Sequence, residues 1–110
     1  MSYAHSAAVQ ELSKTVFGQK NRLPVMLAIA ESDGVFTATE LTVRLGLSSP
    51  SKIQYPLKDL HDAGLITRLE NPVSDRCTYY RRNDASSAWA LARELVDAAL
   101  RTEVDKRALP

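Results

Sequence analysis

Residues 37–66 read TATELTVRLGLSSPSKIQYPLKDLHDAGLI, and the order of caps and breakers in that stretch decides the fold. Thr37-Ala38-Thr39-Glu40 has the spacing of a capping box, in which a hydroxyl and a carboxylate satisfy backbone N–H groups reciprocally at a helix start. Leu41 and Leu45 lie one turn apart on the buried side of that helix, and Gly46 suits the left-handed position that ends it. Leu47-Ser48-Ser49-Pro50 then supplies a hydrophobic residue, an N-cap hydroxyl and a proline near the first helical position, so a new helix starts about four residues later. Ile53, Leu57 and Leu60 give that second helix one apolar face, and Ala63-Gly64 ends it. Two helices joined by a short glycine-containing turn make a helix-turn-helix, here spanning about 37–63.

Working outward, Leu65 to Leu69 and Cys77 to Arg81 are β-rich runs separated by Glu70 to Arg76, in which Asn71-Pro72 and Ser74-Asp75 are turn signals. They predict a hairpin with a long loop, a wing over about 65–82. Upstream, Ala8, Val9, Leu12 and Val16 predict an amphipathic helix over about 4–17, stopped by Gly18. Asn21 is placed to cap a second helix, with Pro24 in its first turn and Met26, Leu27, Ile29 and Ala30 making it a buried core helix. Val35-Phe36 suffices only for a short strand. Downstream, Asp84 or Ser86 can cap a last helix over about 86–104 whose apolar arc is wider than one small domain covers. That surplus predicts a homodimer through Trp89, Leu91, Leu95, Val96 and Ala99, with the lone Trp89 read as packing and not as the wall of a ligand pocket.

The sum is a single domain over 1–110, mostly α with a small β-hairpin (α+β): a winged helix-turn-helix. Composition agrees, since 110 residues with 45% hydrophobic and 25% charged side chains support one globular core. A net charge of +1 gives no global push toward nucleic acid, but its distribution is uneven. Residues 1–43 carry three basic and four acidic side chains, 44–82 carry seven and four, and 83–110 carry four and five. The positive excess therefore falls on the helix-turn-helix and wing. Cys77 is the only cysteine and His5 and His61 are far apart, which predicts no disulfide, no metal site and no cofactor. With no phosphate-cradling glycine loop and no nucleophile beside a sequence-evident base, the chain is read as a non-enzyme. The longest apolar run, Val25 to Ala30, is far short of the roughly 20 residues of a membrane span, and a cytoplasmic protein is expected.

Several pieces together resemble the ArsR-like and MarR-like bacterial transcriptional regulators: Asn21-Arg22-Leu23, Thr39-Glu40-Leu41, Leu45-Gly46-Leu47-Ser48, the run from Leu57 through Leu60 to Ala63-Gly64-Leu65-Ile66, and Tyr79-Tyr80-Arg81. The resemblance covers roughly residues 20–83 and implies a homodimeric repressor of double-stranded DNA, with the effector unspecified. In that setting Ser49, Ser51, Lys52, Gln54, Tyr55 and Lys58 face the major groove, Gln54 being the foremost base reader. Arg68, Arg76 and Arg81 belong to the wing, where arginines meet phosphates or the minor groove; Arg82 lies in the same cluster, and Asp75-Arg76 resembles a MarR-like wing motif in which the acid positions the base. Tyr79 and Tyr80 point to opposite faces of their strand, one toward the core and one toward the surface or a stacked base. Pro56 departs from the pattern, because it removes a hydrogen bond inside the recognition helix and predicts either a kink or an irregular first turn. The rival reading is a winged-helix protein-interaction module that does not bind DNA, which an apolar patch on the same helix would favour.

Overall fold

The computed structural model describes residues 5–69 and 78–108, with side chains described through residue 102. Its elements are α1 (Ala7–Phe17), α2 (Arg22–Glu31), β1 (Val35–Thr37), α3 (Ala38–Leu45), α4 (Ser51–Asp62), β2 (Ile66–Arg68), β3 (Tyr79–Arg82) and α5 (Ala88–Ala108). The winged helix-turn-helix order is the expected one. Loop 70–76 and Cys77, with Arg76, lie outside the described residues.

Helix α2 is the axis of the core. Every residue from Leu23 to Ala30 is buried, as the near-continuous apolar run requires, and its largest interface is with α5, followed by α1. Its start is not capped as the sequence predicts. Asn21 occupies the N-cap position in helical conformation and makes no side-chain cap. The hydroxyl of the fully buried Ser13 on α1 instead accepts from the Leu23 N–H at 3.0 Å and donates to the Gln19 carbonyl. A hydroxyl from another element thus does the work that local sequence assigns to Asn21.

The other end of α2 is closed by two arginines. Arg82 of β3 donates from Nη1 to the carbonyls of Ile29 and Ala30 at 2.9 Å and of Ser32 at 3.1 Å, and from Nε to Asp84 at 2.6 Å. Arg93 of α5 adds a bond to the Ala30 carbonyl at 2.7 Å. Cations on terminal carbonyls satisfy groups that have no helical partner and oppose the negative end of the helix dipole. Arg82 is therefore a structural residue of the core margin rather than a free member of the wing cluster.

Val35-Phe36 forms more than an isolated extension, because β1 pairs antiparallel with β3 and the hairpin becomes a three-stranded sheet of order β1-β3-β2. Phe36 lies opposite Tyr80 and their rings stack, centroids 5.7 Å apart at 17°. Tyr80 is thus the tyrosine that joins the core. Gly34 enters β1 with φ 105°, backbone that favours glycine, and its carbonyl accepts the Arg82 N–H at 2.7 Å.

Helix α5 buries Trp89, Ala92, Val96 and Ala99 within the chain itself. The Trp89 indole N–H reaches the Asn83 carbonyl at 2.8 Å, which permits its burial. Of the residues expected at a dimer surface, Trp89, Val96 and Ala99 thus pack into the chain's own core. What remains on the neighbouring stripe is Leu91, 46% exposed, with the half-buried Leu95 and Ala98.

Removing the Arg82 guanidinium takes a donor from the carbonyls of Ile29, Ala30 and Ser32, of which Ile29 keeps the Ser32 N–H and hydroxyl and Ala30 keeps Arg93. Arg82→Ala is expected to cost about 2–3 kcal/mol in denaturant unfolding at unchanged m-value, whereas Arg81→Ala, one position away on the exposed face, stays within about 0.5 kcal/mol. Equal losses at the two positions would contradict this assignment.

Candidate nucleic-acid interface

The capping box is formed as the sequence dictates: Glu40 N–H donates to Thr37 Oγ1 at 3.1 Å and Thr37 N–H to the Glu40 carboxylate at 3.3 Å. At the far end Gly46 takes φ 66°, and the Leu47 N–H reaches back to the Thr42 carbonyl at 3.0 Å, fixing the turn. The hydroxyl at the head of α4 is that of Ser49, which accepts from the Ser51 N–H at 3.1 Å, and Pro50 occupies the N-cap position before the first helical residue.

Ile53, Pro56, Leu57 and Leu60 fill one side of α4, and every other residue from Ser51 to Asp62 is exposed. At about 100° per residue the exposed side divides into three stripes. Ser51, Tyr55, Lys58 and Asp62 form the centre, and Tyr55 is 72% exposed there. Gln54 and His61 flank it on the side of the sheet. Lys52 and Asp59 flank it on the side of α2. Five of the six predicted recognition residues, Ser51, Lys52, Gln54, Tyr55 and Lys58, are thus on one accessible surface, with Ser49 half-buried at its head.

The acids on this surface are matched by bases. Asp59 pairs with Arg22, and Asp62 accepts from the Lys58 ammonium at 2.7 Å. The Lys58 hydrogen bond and charge hold the Asp62 carboxyl below the usual carboxylate range, and Asp62 raises Lys58 in turn by the same two causes. Both side chains of that pair are well exposed, so a phosphate can compete for Lys58 at little cost.

A cavity of about 400 Å³ opens between α4, the start of α3 and the sheet. Gln54, Lys58 and His61 line one wall, Arg68, Thr78 and Tyr80 the other, and Thr37 to Thr39 its end. His61 was missed in the sequence, although its spacing of seven from Gln54 and three from Lys58 places it on the same flank. The sheet separates two residues that the sequence groups together. Arg68 lies opposite Tyr80, whereas Arg81 lies opposite Thr67 and Val35, and side chains of directly paired residues share a face. Arg68 therefore faces the cavity and α4, and Arg81 stands on the other side of the sheet.

Among the described residues no three His, Cys, Asp or Glu side chains gather in a way that could hold a metal, and no helix is long and apolar enough to cross a membrane.

A model of the MarR family matches residues 20–76. Similar solved structures include an organohalide-sensing transcriptional regulator, RdhR, in its 2,4-dichlorophenol-bound form, with TM-score 0.68 and 12% identity over 97% of this chain and 62% of that one. A MarR-family transcriptional regulator from Rhodococcus sp. RHA1 gives TM-score 0.67 and 21% identity, covering 94% of this chain and 72% of its own. RV1404 from Mycobacterium tuberculosis gives 0.56 and 22%, covering 91% and 66%. The chain thus spans less than two thirds of the length of two of these proteins. No curated protein sequence matches significantly. With a family model spanning more than half of its residues and the winged-helix fold in common with these structures, the chain belongs to the MarR family.

Proposed function

We propose that the chain is a DNA-binding transcriptional regulator that lays α4 in the major groove of duplex DNA and acts as a homodimer, repressing by occupying a promoter. The observation that carries the DNA reading is the polarity of α4: one side is wholly buried, and the other presents Ser51, Lys52, Gln54, Tyr55 and Lys58 with its acids already paired. Hydrogen-bonding groups on an exposed helix face suit base edges and phosphates. A protein-docking surface would need an apolar patch, and α4 exposes a single aromatic among polar groups.

Within this reading Gln54 and Tyr55 reach base edges, Tyr55 offering its ring to a thymine methyl. Lys52, Lys58 and Arg68 meet phosphates. Arg68 takes the role in preference to Arg81, because only Arg68 shares a face with α4. Arg76 keeps its proposed place at the wing. The second copy docks on the Leu91, Leu95 and Ala98 stripe of α5, where apolar surface remains after the core is filled. A symmetric dimer of this kind prefers a near-palindrome with half-sites about one helical turn apart.

Selection of binding sites from random duplex DNA tests the reading as a whole. An enriched near-palindrome is expected; enrichment no better than that given by an unrelated protein of equal charge, across low and moderate salt, would overturn it and favour protein docking. On the selected site Gln54→Ala is expected to cost roughly 1–3 kcal/mol and relax choice at one position per half-site. Arg68→Ala is expected to weaken binding to all sequences and lower the salt slope by about one, with Arg81→Ala leaving the slope unchanged. For the dimer, Leu91→Glu is expected to give folded monomers by sedimentation, whereas Val96→Glu, which buries a charge within the chain, is expected to abolish folding. A wild type that is monomeric at micromolar concentration would contradict the dimer.

A further inference from the structure

Pro56 is the sixth residue of α4, and it lacks the N–H that would bond the carbonyl of Lys52 four residues earlier. That carbonyl is not abandoned. The side-chain amide of Asn21, at the head of α2, donates to it at 3.5 Å. The next residue, Arg22, donates through Nη2 to the carboxylate of Asp59, three residues beyond the proline. Two consecutive residues at the head of α2 thus hold α4 on both sides of its proline.

Neither side chain is occupied with its own helix. Ser13 serves the Leu23 N–H, which leaves the Asn21 amide free of capping duty. The Arg22 side chain is only 24% exposed, and its Nε is buried without a partner, so the guanidinium is drawn in against α4 instead of being solvated. Lys52 and Asp59 are seven residues apart, two turns, on the flank of α4 that faces α2, while Ser51, Tyr55 and Lys58 occupy the outward stripe. A proline inside a helix is where helices bend, and a bend at Pro56 would swing Gln54 and Tyr55 relative to Lys58. Direct base contacts tolerate displacements of only about 0.5 Å.

The geometry points to Asn21 and Arg22 as positioning residues for DNA recognition: a two-point brace across the proline break that fixes the direction of the reading face without touching DNA. This inference rests on the DNA reading above. Its logic makes Asn21 conditional on Pro56, because an alanine at position 56 restores the helical N–H and takes the Lys52 carbonyl back.

The test compares Asn21→Ala, Pro56→Ala, the double variant Asn21→Ala/Pro56→Ala, Arg22→Asp, Asp59→Arg and the exchanged pair Arg22→Asp/Asp59→Arg. Two quantities are read: affinity for the selected duplex over a range of salt, and amide hydrogen exchange across residues 51–62. Asn21→Ala is expected to weaken specific binding about threefold, speed α4 exchange and leave the salt slope unchanged. In the Pro56→Ala background the same change is expected to move neither quantity. Arg22→Asp is expected to lose about tenfold in affinity and to speed α4 exchange, Asp59→Arg to speed α4 exchange while the added cation offsets the loss of affinity, and the exchanged pair to recover most of the exchange protection. A loss from Asn21→Ala that is equal with and without Pro56, a lowered salt slope, or no recovery in the exchanged pair would overturn the brace. A wild type with no duplex preference would fail the DNA reading alone, and the exchange comparison then decides the brace: α4 exchange unaffected by Asn21→Ala refutes it.

Discussion

The burial of α2 is the constraint on which the rest of the structure depends. A helix whose residues are buried continuously from Leu23 to Ala30 cannot leave its terminal N–H and C=O groups to solvent, and its own flanks close it only in part, through the Ser32 hydroxyl on the Ile29 carbonyl. The remaining groups at both ends are met by side chains of other elements. Ser13 reaches in from α1 at the start, and Arg82 and Arg93 converge from β3 and α5 on the carbonyls at the finish. These bonds tie the sheet at the root of the wing and the last helix to one fixed point. The Ser13 bond also leaves Asn21 without capping duty, so that the head of α2 is available to α4.

The same economy of pairing shapes the electrostatics of the interface. Asp59 and Asp62 lie on the exposed half of α4 and would repel a polyanion if left free. Arg22 takes the first from outside the helix, and Lys58 takes the second from within it. The Lys58–Asp62 attraction is present above the ordinary carboxylate range and is lost as pH falls through the lowered pKa of Asp62, so the pairing persists at neutral pH. Lys52 and Arg68 stay exposed at the two margins of the surface, toward α2 and toward the sheet. Cations at the two margins, with the hydrogen-bonding groups of Ser51, Gln54 and Tyr55 between them, suit a duplex whose phosphates border its groove.

What was legible in the sequence was local. The Thr37/Glu40 box and the Gly18 and Gly46 termini depend on neighbours within a few residues, and the amphipathic spacing of Ile53, Leu57 and Leu60 depends on helix period alone. What was not legible depended on partners distant in the chain. Asn21 has the residue type and position of a cap, yet a serine ten residues from Leu23 fills that role. Arg81 and Arg82 are adjacent and chemically identical in sequence, but strand alternation sends one to the surface and the other to the carbonyls of α2. The apolar arc of α5 is plain in its own pattern, but how much of it α1 and α2 cover is not, and Trp89, Val96 and Ala99 pack within the chain. Pro56 announced a defect in α4 without revealing which side chain would repair it.

On the proposed reading α4 and the α4-facing side of the sheet form one duplex-binding surface, which residue-resolved NMR mapping of the protein on titration with its selected duplex can test. Perturbed resonances are expected to concentrate at residues 49–58 and at Arg68, while Val35, Thr67 and Arg81 on the opposite side of the sheet stay unmoved. Perturbations confined to α1 and α5, or identical responses to the selected duplex and to an unrelated polyanion, would contradict it.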